Sequence, residues 1–202
     1  MTRFWKVALI AAVFSLAGCA SPLMKPAANQ TVAAAAAQSS RIVFLRPTSF
    51  GGGIQAALFD ATTEDLKFIG VASAGTKVAY DLPPGKHRLM VVSEAADFLE
   101  ATLAPGKTYY VYVAPRMAWT FRFSLWPIKV KSANEFNFQN PEVATWIKNT
   151  RLVENTPAGQ KWFTTHLDEI RKKQADYLVV WQQKTLQDLA ERTLEEQDGR
   201  SE

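Results

Sequence analysis

Only one side chain in this sequence offers thiol chemistry, because Cys19 is the single cysteine among 202 residues. An intrachain disulfide or a thiolate metal cluster needs at least two thiols, so neither can stabilise this fold. The cysteine follows the apolar run VALIAAVFSLA and one glycine, and Arg3 and Lys6 precede that run. The thiol therefore has another task, and the folded part must depend on an apolar core.

The other groups that could do acid–base or nucleophilic chemistry are scattered. His87 lies beside a turn, and His166 lies in a predicted helix, off its apolar stripe. Asp60, Glu64 and Asp65 share a loop, which is typical of solvated turn residues. The sequence has no nucleophile elbow, no His-x-x-x-His pair and no Asp-rich metal loop. We therefore expect no catalytic residues, no metal site and no cofactor; a hydrolase with an unrecognised site is the alternative.

Residues 1–18 have the three parts of a secretory signal: a positive start, an apolar core and small residues. The apolar core is shorter than the ~20 residues that span a bilayer. The tetrapeptide LAGC at 16–19 resembles the lipobox of bacterial lipoproteins, in which the cysteine takes a diacylglycerol and, after cleavage, a further acyl chain on its amine. This resemblance implies lipidation at Cys19. Ala20, in the place where an aspartate would hold the protein at the inner membrane, implies delivery to the outer membrane of a Gram-negative cell. An ordinary cleavage site or an uncleaved anchor is the alternative.

The segment after the cysteine differs in composition from the rest of the chain. Up to Ser40 it is rich in Ala, Pro, Ser and Gln and nearly lacks aromatic and charged residues. Such a segment cannot bury a core of its own. We therefore predict four parts: the signal peptide at 1–18, a lipidated flexible tether at 19–40, a β-sandwich domain at 41–132, and a helical C-terminal extension at 133–202 that packs on the sandwich.

Residues 41–132 predict a mainly β fold. Several short segments alternate apolar and polar residues with period two, and turn compositions rich in Gly and Pro separate them. The alternating segments are RIVFLRP, TKVAYDL, HRLMVVS and FLEATLA. TYYVYVAP is apolar or aromatic on both sides, which is typical of a central strand. We expect an antiparallel β-sandwich of about seven or eight strands, with a short helix and a long C-terminal amphipathic helix.

Three segments of this region carry a family resemblance. VFLRPTSFGGG, LPPGKHRL and LAPGKTYYVYV, within residues 41–115, resemble a family of bacterial lipoprotein domains of unknown function. They are more distantly similar to PEGA-type surface domains, which are small β-sandwiches with a PPGKH hairpin. The resemblance implies a small sandwich at the cell envelope and brings no catalytic residues with it.

A strand with one strongly aromatic side follows in AWTFRFSLW. Its aromatic residues are Trp119, Phe121, Phe123 and Trp126, and Phe136, Phe138 and Trp146 follow soon after. One interpretation packs them between the sandwich and the C-terminal helix, which needs an apolar surface. The other leaves some of them exposed as a stacking platform for sugar rings or as a partner surface.

Two helices are predicted by their first residues. Thr156 is a favourable N-cap and Pro157 suits the first helical position, and Asn140 with Pro141 repeats this pattern for a shorter helix. The longer helix has an apolar stripe of about 100° that favours packing on a globular body over a coiled coil. The stripe contains Phe163, Leu167, Ile170, Tyr177, Leu178 and Trp181. We expect the last residues, EEQDGRSE, to form a frayed acidic tail.

Charge and location limit the possible partners. Secretion disfavours nucleic acid, and the basic stretch 107–173 gives a weak indication of anionic lipid headgroups. We expect attachment to the membrane through the N-terminal lipid and contact with an envelope protein; a glycan is possible. The leading hypothesis is a non-catalytic binding or scaffolding module, and a glycan-binding domain with exposed aromatics is the alternative.

Overall fold

A computed structural model describes residues 22–117 and 120–201 of the chain. Cys19, the signal segment and Trp119 lie outside the described residues. The six-stranded sheet comprises β1 (Met24–Pro26), β2 (Ser40–Arg46), β5 (Thr76–Leu82), β8 (Thr108–Met117), β9 (Phe121–Ile128) and β10 (Arg151–Asn155). The five-stranded sheet comprises β3 (Ala56–Asp60), β4 (Lys67–Ala72), β6 (Gly85–Val92), β7 (Ala96–Leu103) and β11 (Thr193–Leu194). The helices are α1 (Pro141–Asn149), α2 (Pro157–Gln182) and α3 (Leu186–Glu191), followed by a 3₁₀ turn at Glu196–Asp198.

The mainly β fold is confirmed, but the expectation of seven or eight antiparallel strands is wrong. Within the described residues, eleven strands form two mixed sheets, in the orders β1-β10-β5-β2-β8-β9 and β11-β7-β6-β3-β4. The pairs β2–β8, β5–β10 and β7–β11 are parallel. A parallel pair needs a long connection. Between β2 and β8, that connection consists of β5 and four strands of the other sheet, so no crossover helix is needed.

Strand β2 lies near the middle of the molecule and is buried on both faces. Ile42 and Phe44 point into the core between the two sheets, whereas Val43 and Leu45 point outward beneath α1. This follows from the strand period, since successive side chains point to opposite faces. A third apolar layer lies between the five-stranded sheet and α2. The molecule is therefore a sandwich with a helix on each outer face.

The long helix covers the outer face of the five-stranded sheet, as its stripe predicts. Phe163 stacks on Phe68 with the ring centroids 5.6 Å apart, and Trp181 meets Phe98 edge-on at 5.7 Å. The predicted cap is present, because the Thr156 hydroxyl accepts a hydrogen bond from the amide of residue 159 at 3.2 Å. The helix ends at Gln182, where the stripe ends, and Thr185 caps α3.

The description of residues 19–40 as a flexible tether does not hold for residues 22–40. Strand β1 pairs with β10, and the Thr156 hydroxyl donates to the carbonyl of Pro22 at 2.7 Å. The amide of Ala27 donates to the carbonyl of Leu152 at 2.9 Å. A segment of this composition is expected to be disordered when it packs against nothing. Here the edge of the six-stranded sheet has unpaired backbone N–H and C=O groups, and the segment hydrogen-bonds to them.

The C-terminal tail is not frayed. Leu194 is fully buried between the sheets, and the Asp198 carboxylate accepts the amide of Val130 at 3.1 Å. The backbone of Arg200 exchanges two hydrogen bonds with Thr108, each 2.9 Å long. Strands β10 and β11 also come from the region predicted to be helical. Residues 133–201 therefore complete both sheets as well as packing on them.

Candidate aromatic groove

Helix α1 packs on the outer face of the six-stranded sheet and is fixed at both ends. At its start, the Asn140 side chain accepts the amide of Glu142 at 3.0 Å. At its end, Lys77 donates to the carbonyl of Ile147 at 2.6 Å. A cation at the carbonyl end of a helix is favourable. Burial lowers the pKa of the Lys77 amine, because the charged form loses water there.

Four half-buried rings form a continuous row beside α1. Tyr112 and Trp126 are directly opposite each other on β8 and β9. The ring of Phe136 lies 5.1 Å from Tyr112 and 5.2 Å from Trp126, and Trp146 of α1 lies 4.8 Å from Tyr112. We call the surface that Tyr112, Trp126, Phe136 and Trp146 line the aromatic groove.

The loop between β9 and α1 places Phe136 through asparagine turns. Asn134 accepts the amide of Phe136 at 2.9 Å, and Asn137 donates to the carbonyl of Asn134 at 2.6 Å. The amide of Lys129 donates to the carbonyl of Phe136 at 3.1 Å. Asparagine side chains favour such turns because they hydrogen-bond to nearby backbone groups. The local sequence thereby folds an aromatic residue back over the sheet.

Buried Arg46 fixes the loop on the other side of the groove. Its guanidinium donates to the carbonyls of Gly51, Ile54 and Ala72 over 2.6–2.8 Å. Burial lowers the pKa of this guanidinium. Gly51 has a φ of 68°, and a Cβ there would lie 2.2 Å from the ring of Phe121. Residues 46–51 are therefore held in place by these contacts and form one side of the groove.

Two adjoining surface cavities follow the row of rings, with volumes of about 390 and 510 Å³. They share Thr48, Tyr112, Glu142 and Trp146. Thr145 and Asn149 extend the first cavity, and Phe50, Arg116 and Glu135 extend the second. Burial raises the pKa of the Tyr112 hydroxyl, and the nearby charges of Glu135 and Glu142 raise it further. The site therefore combines an apolar aromatic floor with carboxylates.

The rings of the groove lie close to one another. The Arg192 guanidinium lies 4.0 Å from the ring of Trp126, and Phe136 stacks on Trp126 with 21° between the ring planes. Tyr112 has Phe136 and Trp146 as neighbours. A sugar ring stacks on an open aromatic face, whereas apolar and peptide groups also pack against ring edges. This arrangement suits a partner that fits between side chains.

A buried ion pair connects the groove to the opposite helix. Arg192 lies 3.0 Å from a carboxylate oxygen of Asp97 and also donates to the carbonyl of Leu125 at 2.5 Å. The amide of Leu125 donates to Asp97 at 3.2 Å, and Tyr177 of α2 donates to the other carboxylate oxygen. Burial, reinforced by Asp97, raises the pKa of Tyr177. The network joins α2, β7, β9 and the end of α3.

The structure separates the aromatic residues that the sequence groups together. Phe123 is 1% exposed and lies between the sheets, so it cannot form a surface. Phe121 is half-buried against Phe50, at 5.2 Å. Trp126 faces outward into the groove, because it is an odd number of residues from Phe123. Trp119 lies outside the described residues.

Of the groove residues, only Trp126 is a predicted site residue; Phe136 and Trp146 belong to the aromatic residues considered as core or surface, and Tyr112 was not singled out. On β8, Val111 and Val113 point into the core between the sheets, and Tyr112 points to the opposite face. Because TYYVYVAP is apolar or aromatic on both faces, its sequence does not show which face is exposed to solvent. Phe136 and Trp146 are visible as aromatic residues near the predicted short helix. Nothing local indicates that they meet Tyr112.

The geometry around His87 is that of a braced turn. One ring nitrogen is 2.8 Å from the carbonyl of Pro83, and the other is 3.2 Å from the Thr62 hydroxyl. That hydroxyl is only 2.5 Å from the Asp60 carboxylate. The hydroxyl has a single proton, and the shorter contact favours its donation to the carboxylate over the histidine. Glu64 and Asp65, in the same loop, are exposed.

His166 stacks on Trp162 within α2, with centroids 4.8 Å apart, and one ring nitrogen is 2.8 Å from the carbonyl of Trp162. Across residues 22–117 and 120–201, no group of three or more histidine, cysteine or acidic side chains is arranged to hold a metal ion.

No family model, no curated protein and no solved structure matches this chain. None of the helices described above is long and apolar enough to cross a membrane. The resemblance to lipoprotein domains remains a prediction from the quoted segments.

Proposed function

We propose that this protein is a non-catalytic binding or scaffolding module of the Gram-negative envelope, held at the outer membrane by a lipid on Cys19. Its aromatic groove receives a segment of another envelope protein. The observation that supports this most is the row of four half-buried rings on the face beside α1. Aromatic residues are enriched at protein interfaces, where they supply a large contact area at little cost in side-chain entropy.

The chemistry of the groove favours a peptide segment as its ligand. Phe136 stacks on Trp126, Arg192 lies over the same ring, and Phe136 and Trp146 adjoin Tyr112, so less of each ring face is open for a sugar to stack on. Glu135 and Glu142 add acceptors for backbone amides or for a basic side chain. The geometry of Thr62 and His87 gives no support to a hydrolase.

A glycan is the second candidate ligand. Thr145, Asn149 and Glu142 lie next to Trp146 in the smaller cavity. Hydroxyl, amide and carboxylate groups beside an aromatic ring are the groups that hydrogen-bond and pack against sugars.

Covalent crosslinking in intact cells of the native host tests the proposal with a C-terminally tagged copy. The variants are Cys19→Ala, Thr145→Arg in the groove, and Ala175→Arg on α2. Thr145 and Ala175 are both exposed on a helix, so the two arginines are matched in charge and cost little stability. We expect the wild type and Ala175→Arg to capture the same defined envelope protein, and Thr145→Arg and Cys19→Ala to lose it.

Equal capture by all four forms would contradict a role for the groove and the lipid. If no protein is captured, the same variants are tested for retention on isolated envelope glycans. Retention that only Thr145→Arg reduces would replace the protein partner by a glycan.

A further inference from the structure

We propose that the β1 edge of the six-stranded sheet and the first turn of α2 rest on the bilayer surface, so that the aromatic groove faces away from the membrane. The inference rests on the lipidation of Cys19 given under the proposed function. Beyond the anchor itself, the orientation of the domain and the contact between its β1 edge and the lipid surface are new.

The length of chain between the lipid and the domain sets this orientation. Three residue steps separate Cys19 from Pro22, and they span at most about 11 Å when fully extended. From Pro22 onward the chain is bound to the domain and adds no further reach. The surface around Pro22 must therefore stay close to the headgroups.

The contacts at Pro22 show that this attachment is firm. The Thr156 hydroxyl lies 2.7 Å from the carbonyl of Pro22 and 3.1 Å from that of Leu23. A Cβ at Gly159 would lie 2.5 Å from the carbonyl of Leu23, so the helix start and this segment touch. Met24 packs against both inter-sheet and helix-covered clusters, and Lys25 forms a 3.0 Å salt bridge with Glu154.

Strand order places the groove far from this edge. Strand β1 is one edge of the six-stranded sheet, and β8 and β9 lie at the other. Four strand spacings of about 4.8 Å, together with a three-residue offset along the strands, put Tyr112 roughly 20 Å from Met24. The tether therefore does not hold the groove at the bilayer, and a domain that stands on its β1 edge leaves the groove open to partners in the adjacent compartment.

Another surface of the described residues also has the chemistry to contact lipid. At the turn end of the β8–β9 hairpin, Met117 is 67% exposed, Phe50 nearby is 49% exposed, and Arg116 lies opposite Arg122. Exposed apolar side chains flanked by cations suit a membrane interface. By the same registers, Met117 lies roughly 30 Å from Met24. The tether holds only the β1 edge close to the headgroups. In the proposed orientation the domain stands on this edge, and the hairpin would reach the bilayer only if the domain lay flat instead.

Fluorescence quenching in vesicles tests the orientation. The lipid on Cys19 occupies its sulfur as a thioether, so one introduced cysteine is the only free thiol of the lipidated protein. We would introduce Lys161→Cys in the first turns of α2, Thr145→Cys in the groove or Met117→Cys at the hairpin. Each variant is labelled with a fluorophore and reconstituted in phosphatidylethanolamine and phosphatidylglycerol vesicles that contain headgroup nitroxide lipids.

We expect the largest loss of fluorescence at position 161 and almost none at positions 145 and 117. Quenching at 117 or 145 that equals or exceeds that at 161 overturns the orientation. Mass spectrometry of the same samples separates the two proposals. Lipidated protein with the wrong quenching pattern overturns the orientation alone, whereas protein without lipid on Cys19 overturns the anchored module and the orientation with it.

Discussion

The two outer faces of the sandwich carry the same kinds of residue, but the face beneath α2, which we call the closed face, is covered more fully, with one cavity of about 260 Å³ beside Trp162. Beneath α2, Phe59, Phe68 and Phe98 are buried. Beside α1, the four rings of the aromatic groove are only half-buried. The difference follows from helix length: 26 residues reach about 39 Å, whereas nine reach about 13 Å, at 1.5 Å per residue. A sheet of six strands is about 24 Å wide, so α1 cannot cover it.

Whether a row of aromatic residues forms a core or a binding site depends on how much of its apolar area remains exposed to water. On the closed face, the apolar area is already removed from water and contributes to folding. In the groove, part of the apolar area remains exposed to water, and a ligand that covers it gains about 25 cal/mol of binding free energy for each Å². The account therefore assigns stability to one face and binding to the other.

The largest expected effect is the loss of Phe59 from the closed face. Phe59 is fully buried, and its ring lies 5.7 Å from both Phe68 and Phe163. Phe59→Ala should lower the free energy of unfolding by about 3–5 kcal/mol, since it removes contacts and leaves a cavity. Trp146→Ala in the groove should cost clearly less. Urea unfolding measures both, and equal costs would show that the groove is an ordinary part of the core.

A somewhat smaller effect is expected where the two faces are connected. Arg192→Leu leaves Asp97 buried without its cation, and breaking such a pair costs about 3 kcal/mol or more. The control is Arg88→Leu, because the Arg88–Glu100 pair is about one-third exposed and such pairs contribute at most about 1 kcal/mol. Similar losses in urea for the two variants would contradict a special role for the buried pair.

A smaller effect is expected from Tyr177, in the dependence of the free energy of unfolding on pH. Its pKa is raised in the folded protein, so its hydroxyl ionises first in the unfolded chain. The stability that it contributes is complete below the ordinary pKa of 10.0 and is lost as pH rises beyond that value. Tyr177→Phe should therefore lose less stability than the wild type between neutral and strongly alkaline pH. Parallel pH curves from urea unfolding would contradict this assignment.

Local signals predicted α1 and α2, but not α3 or the sheet partners. The cap and proline at Thr156 and Pro157 define a helix start through contacts within one turn, and the stripe that ends at Trp181 defines its apolar face. In contrast, β10 has a single buried residue, Val153, which leaves almost no periodic pattern to detect. Its place beside β5 depends on an edge that only the folded domain provides.

The groove was predictable only in part, for the same reason. Trp126 was identified as a possible surface residue, whereas the alternation of its strand already placed Phe123 on the opposite face. Tyr112 belongs to a strand that is apolar on both sides, and the sequence does not show that the helix above it is too short. Asp97 and Arg192 are 95 residues apart, and no local pattern indicates such a pair.

The central claim is that the aromatic groove is the binding face, and site-specific photocrosslinking in living cells tests it most directly. The photoreactive residue p-benzoylphenylalanine replaces Thr145 in the groove or Ala175 on the exposed side of α2, in otherwise unchanged protein. The account predicts a covalent adduct with one defined envelope component from position 145 and none from position 175. Adducts from position 175 alone, or the same adducts from both positions, would contradict it.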